Sequence, residues 1–79
     1  MKYLVTSAKY LKDYEIELVF KDGKVGIVDL KDYKNRGGVF EGFKNLDYFK
    51  NFETDGITLT WQDEVDIAPE RLYEISRSL

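Results

Sequence analysis

The chain has 79 residues, a formal net charge of −3, 43% hydrophobic and 15% aromatic residues, and neither cysteine nor histidine. A chain of this length supports one small core, so we predict a single domain over residues 1–79. The lack of cysteine and histidine excludes disulfides, thiolate metal sites and the commonest general base at neutral pH. We therefore expect a protein that is not an enzyme and that uses no cofactor and no metal ion.

The chain has no run of apolar residues that would direct it to a membrane. Its N-terminus lacks the apolar core of a signal peptide, and no stretch approaches the roughly 20 apolar residues of a membrane span. We expect a cytoplasmic protein without membrane contact. Residues 1–50 carry ten Lys/Arg against eight Asp/Glu, whereas residues 51–79 carry two against seven. Such an acidic C-terminal third does not suit binding to a phosphate backbone.

Residues 1–30 predict three β-strands. The opening YLVTSAKYL indicates the first, although its apolar residues have mixed spacing. The stretch YEIELVFKDGKVGIVDL alternates apolar and polar residues on both sides of Asp22-Gly23, a dipeptide that is typical of a tight hairpin turn. Two further strands are therefore predicted near 14–21 and 24–30.

The turn also predicts a register for this hairpin. A two-residue loop places Leu18 opposite Ile27 on the core face of the sheet. The same register places Asp29 opposite Ile16. Asp29 then lies either at the sheet end, in water, or partly buried, where its carboxylate needs a hydrogen-bond partner.

The segment between the two hairpins has no regular hydrophobic period. We expect a loop at 33–38, because the sequence NRGGVF carries two adjacent glycines, and then one or two short helical turns across 40–50. Phe43, Leu46 and Phe49 are predicted to pack under the sheet. The loop lacks the spacing of a phosphate-binding loop, so glycines in a tight turn are the favoured interpretation.

Three basic residues near this loop, Lys31, Lys34 and Arg36, are interleaved with Tyr33, which raises the question of nucleic acid. Asp32 lies among them, and the net charge of +2 is that of an ordinary solvated loop. Non-specific affinity requires that several phosphates be neutralised. We therefore predict no direct binding of nucleic acid.

A second hairpin is predicted around Asp55-Gly56, between a short strand near 51–54 and a longer one near 57–62. By the two-residue period, one face of the longer strand is apolar and consists of Ile57, Leu59 and Trp61. After a tight turn at 62–64, the alternation resumes in a last short strand at 65–67.

A C-terminal helix is predicted from about 69 to 77. Pro69 suits the first helical position because it has no amide donor to leave unpaired. The apolar positions of the helix follow at helical spacing and are Leu72, Ile75 and Leu79. Glu74 and Arg77 are three residues apart, a spacing that favours an ion pair.

Four carboxylates lie close together near the start of this helix: Asp63, Glu64, Asp66 and Glu70. A metal or acid–base site is one interpretation, but they have no common face and no calcium-loop glycine. A turn and a favourable charge at the helix start explain them without a ligand. Trp61 presents a similar choice between a binding anchor and a core residue, and its register with Leu59 favours the core.

Together these elements predict an α+β fold, with an antiparallel meander sheet of about five to six short strands, short helical turns in the middle and one C-terminal helix.

Four motifs occur in a recognisable order along the chain. They are Phe20-x-Asp22-Gly23, Asp29-Leu30, Gly38-Val39-Phe40, and the run from Trp61 to Tyr73 with Asp66-Ile67-Ala68-Pro69-Glu70 inside it. In this order they resemble the small bacterial family catalogued as domain of unknown function 2442. Residues 62–64 depart from it, because the family commonly has a proline after the tryptophan and a glycine or asparagine in the turn. The resemblance spans nearly the whole chain and implies a compact α+β domain with a meandering antiparallel sheet and a C-terminal helix.

The resemblance implies no assigned biochemical activity. Some members of the family carry an appended DNA-binding helix-turn-helix, and many are encoded beside another small protein, an arrangement similar to toxin–antitoxin pairs. The present sequence contains no such helix-turn-helix. Any recognition of DNA is therefore expected to come from a partner.

The favoured hypothesis is a small cytoplasmic protein-interaction module, with an antitoxin-like pairing to a neighbouring small protein as its specific form and a homo-oligomer as a further option. Twelve aromatic residues exceed what one small core easily encloses, so some are expected to form an exposed apolar patch. The alternative is a ligand- or ion-binding regulatory domain that uses the loop 35–40 and the strand–helix junction 61–70. The candidate interaction surface comprises Arg36, Gly38, Phe40, Phe43, Tyr48, Trp61, Asp66, Glu70 and Tyr73.

Overall fold

Two antiparallel sheets and several short helices form the fold. The structure, a computed structural model, describes residues 3–62 and 65–78. The strands are β1 (Val5–Lys12), β2 (Glu15–Phe20), β3 (Val25–Asp29), β4 (Glu53–Thr54), β5 (Leu59–Trp61), β6 (Val65–Asp66) and β7 (Arg77–Ser78). The helices are two 3₁₀ helices (Lys31–Asn35 and Gly38–Lys44), α1 (Leu46–Lys50) and α2 (Pro69–Ile75). Among these described segments, no helix is long and apolar enough to cross a lipid bilayer.

The predicted α+β class is confirmed, but the strands form two sheets rather than one meander. One sheet has the order β1-β2-β3-β7 and the other has the order β4-β5-β6. The sequence analysis missed β7, which follows α2 and pairs with Gly26 and Ile27. A strand of two residues has no alternation by which it can be recognised. The helical segment 31–50 separates the second hairpin from β3, so the meander is interrupted there.

The first hairpin forms where it was predicted, with a longer loop. The N–H of Phe20 donates to the carbonyl oxygen of Lys24 at 2.9 Å, so three residues form the loop instead of two. Gly23 is the last of them and has φ 92°, in the left-handed region that loops of this kind require.

The longer loop changes the register of the hairpin by one residue. Leu18 lies opposite Gly26, not opposite Ile27, so the predicted register is wrong. Because side chains alternate along a strand, Val25 and Ile27 point away from the core face. Asp29 is exposed at the sheet end, which was one of its two predicted positions.

The second hairpin also forms, with shorter strands than predicted. The N–H of Asp55 donates to the carbonyl oxygen of Thr58 at 3.4 Å, so Gly56 and Ile57 form the loop. Ile57 is 51% exposed, and its predicted place on the apolar face of β5 is wrong because it belongs to the turn. The other two predicted residues of that face are buried, as expected.

The C-terminal elements follow the prediction at their start and depart from it at their end. The predicted turn at 62–64 falls largely outside the described residues, as does Leu79. The helix α2 begins at Pro69 as predicted. It ends at Ile75 because Ser76 is extended, with φ −69° and ψ 140°, and leads into β7. Glu74 pairs with Arg71 at 2.8 Å and not with Arg77 as the sequence predicted.

One hydrophobic cluster joins the two sheets and the helices. Its buried members are Val5, Ile16, Leu18, Phe20, Val28, Leu30, Tyr33, Phe43, Phe49, Leu59, Trp61, Val65, Ile67 and Leu72. Phe43 and Phe49 pack under the sheet as predicted, with ring centroids 5.1 Å apart. Leu46 stays 37% exposed, contrary to the prediction, because α1 is barely more than one turn long and Phe49 occupies its inward side.

Candidate interaction surface

Two residues of the predicted surface belong to the core. Phe43 is 0% exposed and Trp61 is 4% exposed. The indole N–H of Trp61 donates to the carbonyl oxygen of Phe49 at 2.8 Å, which satisfies its one polar group. The prediction that Trp61 packs in the core is confirmed. Both residues must be removed from the candidate surface, because they are enclosed in the hydrophobic cluster.

Each of the other aromatic candidates is partly buried and engaged by a neighbour. The ring of Phe40 packs edge-to-face on Tyr33, with centroids 5.0 Å apart. The hydroxyl of Tyr48 donates to a backbone carbonyl at the end of β5 at 2.9 Å. The hydroxyl of Tyr73 donates to the Asp22 carboxylate at 2.7 Å, and this hydrogen bond raises the pKa of Tyr73. These rings connect separate elements of the fold and do not form one patch.

Among the described residues, cations cover four tyrosine rings. Lys24 Nζ lies 4.2 Å from the ring centroid of Tyr73. The other pairs are Lys34 with Tyr14, Arg36 with Tyr33, and Lys50 with Tyr10. All twelve aromatic residues are buried or partly buried, so the expected exposed aromatic patch does not form. The exposed large hydrophobic residues are aliphatic and are Leu11, Val39, Leu46 and Ile57.

The four non-aromatic candidates are exposed and lie on different elements. They are Arg36, Gly38, Asp66 and Glu70. The first two lie in and after the connection between the 3₁₀ helices, the third on β6 and the fourth in the first turn of α2. Within residues 3–62 and 65–78, no Asp or Glu side chains are grouped so as to hold a metal ion. Asp63 and Glu64 lie outside those ranges.

The outer face of the four-stranded sheet carries a feature that the sequence analysis did not identify. Three β-branched residues there are partly exposed and take no part in the core cluster: Val19, Val25 and Ile27, which form the outer aliphatic group. Val19 and Val25 are direct partners across β2 and β3, and Ile27 follows on the same face. The predicted two-residue loop had assigned Ile27 to the core face, together with Leu18. The outer position of Ile27 could have been predicted only if the loop had been assigned three residues.

Charged residues border the outer aliphatic group. Lys9 on β1 lies opposite Glu17 on β2. Arg77 Nη2 lies 3.9 Å from Glu15 Oε1, a long contact for an ion pair. Glu15 is also the direct partner of Asp29 across β2 and β3. Like charges directly opposite one another on neighbouring strands are unfavourable, so this end of the face would be stabilised by an additional cation.

A pocket of about 350 Å³ lies at the same end of the sheet. It is lined by Asp13, Tyr14, Glu15, Asp29, Lys31 and Lys34. Asp13 has φ 48°, in the turn between β1 and β2. The three carboxylates exceed the two ammonium groups by a single charge. That excess is too small to define a class of ligand.

The family comparison covers the whole described fold. A family model described as "Protein of unknown function (DUF2442)" matches residues 5–78, a span that contains every strand and helix given above. No curated protein and no solved structure matches the chain.

Proposed function

The chain belongs to the DUF2442 family of proteins of unknown function, and we propose that it is a protein-interaction module that binds a small protein through the outer face of β1, β2 and β3. One observation carries the proposal. The outer aliphatic group lies on the two central strands of the four-stranded sheet, is partly exposed and stays outside the core cluster, although the inner side chains of the same strands are buried.

The composition of this face suits an interface. Burying apolar surface is favourable by about 25 cal/mol per Å², so a partner that covers the outer aliphatic group gains binding energy that the isolated chain leaves unused. Lys9, Glu17 and Arg77 surround the group and remain accessible to water. An apolar centre with a polar rim is the usual arrangement of protein interfaces.

The charges favour a partner of different sequence over a second copy. A two-fold axis along the strands between β2 and β3 would stack the outer aliphatic groups of two copies. The same operation would place Lys9 opposite Arg77 and Glu15 opposite Asp29. Juxtaposed like charges suppress such pairings. A partner with a cation facing Glu15 and Asp29, and with no cation facing Lys9 or Arg77, would avoid both conflicts.

The specific form we propose is an antitoxin-like pairing in the bacterial cytoplasm with a small protein encoded beside this one, as the family resemblance implies. A module of this kind acts by covering a surface of its partner. The lack of cysteine and histidine supports a role in binding over one in catalysis.

Co-expression with the neighbouring gene product, followed by size-exclusion chromatography with light scattering, tests the proposal. We expect a stable complex of one chain of each protein. Ile27→Lys should weaken it by at least about tenfold, because a charge would be placed in the desolvated centre of the interface. Ile57→Lys is the matched control, since Ile57 is 51% exposed on the hairpin loop. It should leave the affinity unchanged, and circular dichroism should show both variants folded.

Three outcomes would reject parts of the proposal. Failure of the wild-type proteins to form a complex rejects the pairing. Retention of the complex by Ile27→Lys rejects the face. A dimer of this chain alone that Ile27→Lys dissociates assigns the face to a second copy. Relief of growth inhibition by the partner, if the partner is toxic, tests the antitoxin-like form.

The second candidate function, a ligand- or ion-binding regulatory domain, keeps support only at the loop 35–40. There Arg36 is exposed and stacked on a buried ring. At the junction 61–70, Trp61 is buried in the core and does not present its ring to a ligand.

A further inference from the structure

The chain contains two Asp-Gly dipeptides, and the fold holds them differently. In such a dipeptide the backbone nitrogen of glycine can attack the aspartate carboxyl group, because glycine has no side chain to hinder the approach. The product is a succinimide ring, which water opens to isoaspartate. We propose that Asp55-Gly56 is a site of spontaneous isoaspartate formation in the folded protein, and that the fold protects Asp22-Gly23 from the same reaction. The site does not depend on the proposed function.

The reaction is a condensation followed by a hydrolysis. The Gly56 nitrogen forms a bond to Asp55 Cγ, and the proton of that nitrogen leaves together with the carboxyl hydroxyl as water. A second water then breaks one of the two C–N bonds of the ring. Cleavage at Cγ restores aspartate, whereas cleavage at the backbone carbonyl carbon leaves the chain running through the former side chain. The product has the mass of the starting protein, and nothing is oxidised or reduced.

The attacking nitrogen is available at the second turn. The Gly56 N–H donates to no acceptor within the described residues. Asp55 and Gly56 are both exposed. Gly56 has φ 85°, and no described atom outside its chain neighbours lies within 4 Å of the position that a Cβ would take. The turn therefore leaves open space around the nitrogen that must move toward Cγ.

The Asp55 carboxyl group is folded over the same loop. Its Oδ1 accepts the N–H groups of Ile57 and Thr58, each at 2.9 Å. When the nitrogen adds to Cγ, negative charge develops on a carboxyl oxygen, and two converging N–H donors can stabilise it. The same bonds lower the pKa of Asp55, so the protonated carboxyl group that reacts is a minor form at neutral pH and the reaction is slow.

Three hydrogen bonds restrain the equivalent groups at the first turn. The Gly23 N–H donates to the carbonyl oxygen of Phe20 at 2.9 Å, so the attacking nitrogen is engaged. Asp22 Oδ1 accepts the Lys24 N–H at 2.9 Å, and Oδ2 accepts the Tyr73 hydroxyl at 2.7 Å. Because Tyr73 belongs to α2, rotation of the Asp22 carboxyl group toward Gly23 would break a contact with a distant helix.

Isomerisation at position 55 would alter the second hairpin. Isoaspartate adds a methylene group to the backbone and moves the carboxylate to another carbon, so its hydrogen bonds to Ile57 and Thr58 cannot form as before. The carbonyl oxygen of Ile57 accepts the N–H of Val5 in β1 at 3.0 Å. A displaced turn weakens this bond as well. The isomerised protein should therefore melt at least about 4 °C below the unmodified one.

Peptide mapping tests the site. The full chain is incubated at mildly acidic pH and digested with an endoproteinase that cleaves before aspartate but not before isoaspartate, and the peptides are identified by chromatography and mass spectrometry. We expect isoaspartate to accumulate at least about fivefold faster at position 55 than at position 22. The same incubation in guanidinium chloride is the control, since it removes the fold and keeps both dipeptides. There the two rates should agree within about twofold.

Two variants separate the roles of the groups. Tyr73→Phe removes the hydroxyl that holds Asp22 and should raise the rate at position 22 at least about twofold, with position 55 unchanged. Asp55→Glu cannot form the five-membered ring and should abolish the product at position 55. Circular dichroism should show both variants folded.

Equal rates at the two positions in the folded protein would overturn the proposal. The same ratio of rates in folded and unfolded protein would also overturn it, because the difference would then belong to the sequence. An unchanged rate at position 22 in Tyr73→Phe would reject the protection of Asp22 by α2.

Discussion

The two faces of the four-stranded sheet carry similar aliphatic side chains but have different surroundings. On the inner face, Ile16, Leu18 and Phe20 of β2 are 0 to 1% exposed beneath the helices and the second sheet. On the outer face, the side chains of the outer aliphatic group are partly exposed and lie outside the core cluster. A chain of 79 residues supplies material for one core only. Hydrophobic character alone therefore does not show which face is buried.

The largest expected effect is the loss of an inner side chain. Leu18→Ala should lower the free energy of unfolding by about 2–5 kcal/mol, because Leu18 is completely buried and its removal leaves a cavity. Val19→Ala, one residue later on the outer face, should cost less than about 1 kcal/mol. Urea denaturation measures both values. Equal losses would contradict the assignment of the two faces.

A methyl group added at Gly26 tests the packing of the inner face by overfilling it, whereas Leu18→Ala leaves a cavity. A Cβ there would lie 3.0 Å from both the Arg77 carbonyl oxygen and the Ser76 Cβ. Gly26→Ala should therefore displace β7 and cost about 1–3 kcal/mol. Hydrogen exchange should show weaker protection in β7. Val25→Ala on the outer face is the control. An unchanged free energy of unfolding in Gly26→Ala would show that β7 can move aside at no cost.

A smaller effect is expected from the turn between β4 and β5. The Asp55 carboxylate accepts the N–H groups of Thr58 and Ile57, each at 2.9 Å, and these hydrogen bonds lower the pKa of Asp55. Its stabilising contribution is present above the unfolded pKa of about 3.9 and is lost as the pH falls through the lower folded value.

Asp55→Asn removes this titration and keeps an oxygen acceptor. Between pH 5 and pH 3, the melting temperature of the wild-type protein should therefore fall further than that of the variant. Asp66→Asn, at an exposed position on β6, should follow the wild type. Parallel decreases in all three proteins would show that the Asp55 hydrogen bonds do not contribute to stability.

The smallest expected effect concerns the ion pair at the edge of the outer face. Arg77 lies 3.9 Å from Glu15, and its side chain is 67% exposed. Arg77→Gln should change the free energy of unfolding by less than about 0.5 kcal/mol. Thermal unfolding at low and high salt measures the change. A loss above about 1 kcal/mol would mean that this contact anchors β7.

The two Asp-Gly turns show how much of the fold can be predicted. Both dipeptides form hairpin turns, as expected from their preference for positive backbone dihedrals. In the first turn, Asp22 and Gly23 are both inside a three-residue loop, whereas in the second, Asp55 closes the hairpin and Gly56 begins a two-residue loop. The dipeptide predicts a turn and not its length. That single uncertainty placed Val25 and Ile27 on the wrong face of the sheet.

The candidate surface was predictable in part. The spacing of Leu59 and Trp61 placed the tryptophan in the core, and the structure confirms it. The prediction of an exposed aromatic patch was wrong because the residues that cover the rings are distant in sequence. Asp22 and Lys24, for example, engage Tyr73 about fifty positions later.

The sequence by itself determined the turns, the first residue of the C-terminal helix and the chemistry that the chain lacks. Each depends on a residue type or on neighbours within a few positions, as with Pro69 and the Asp-Gly dipeptides. Only the tertiary structure decided which side of β3 is buried and which rings are covered. A one-residue change in loop length reverses the two faces of a strand, and contacts between distant segments arise only when the layers pack.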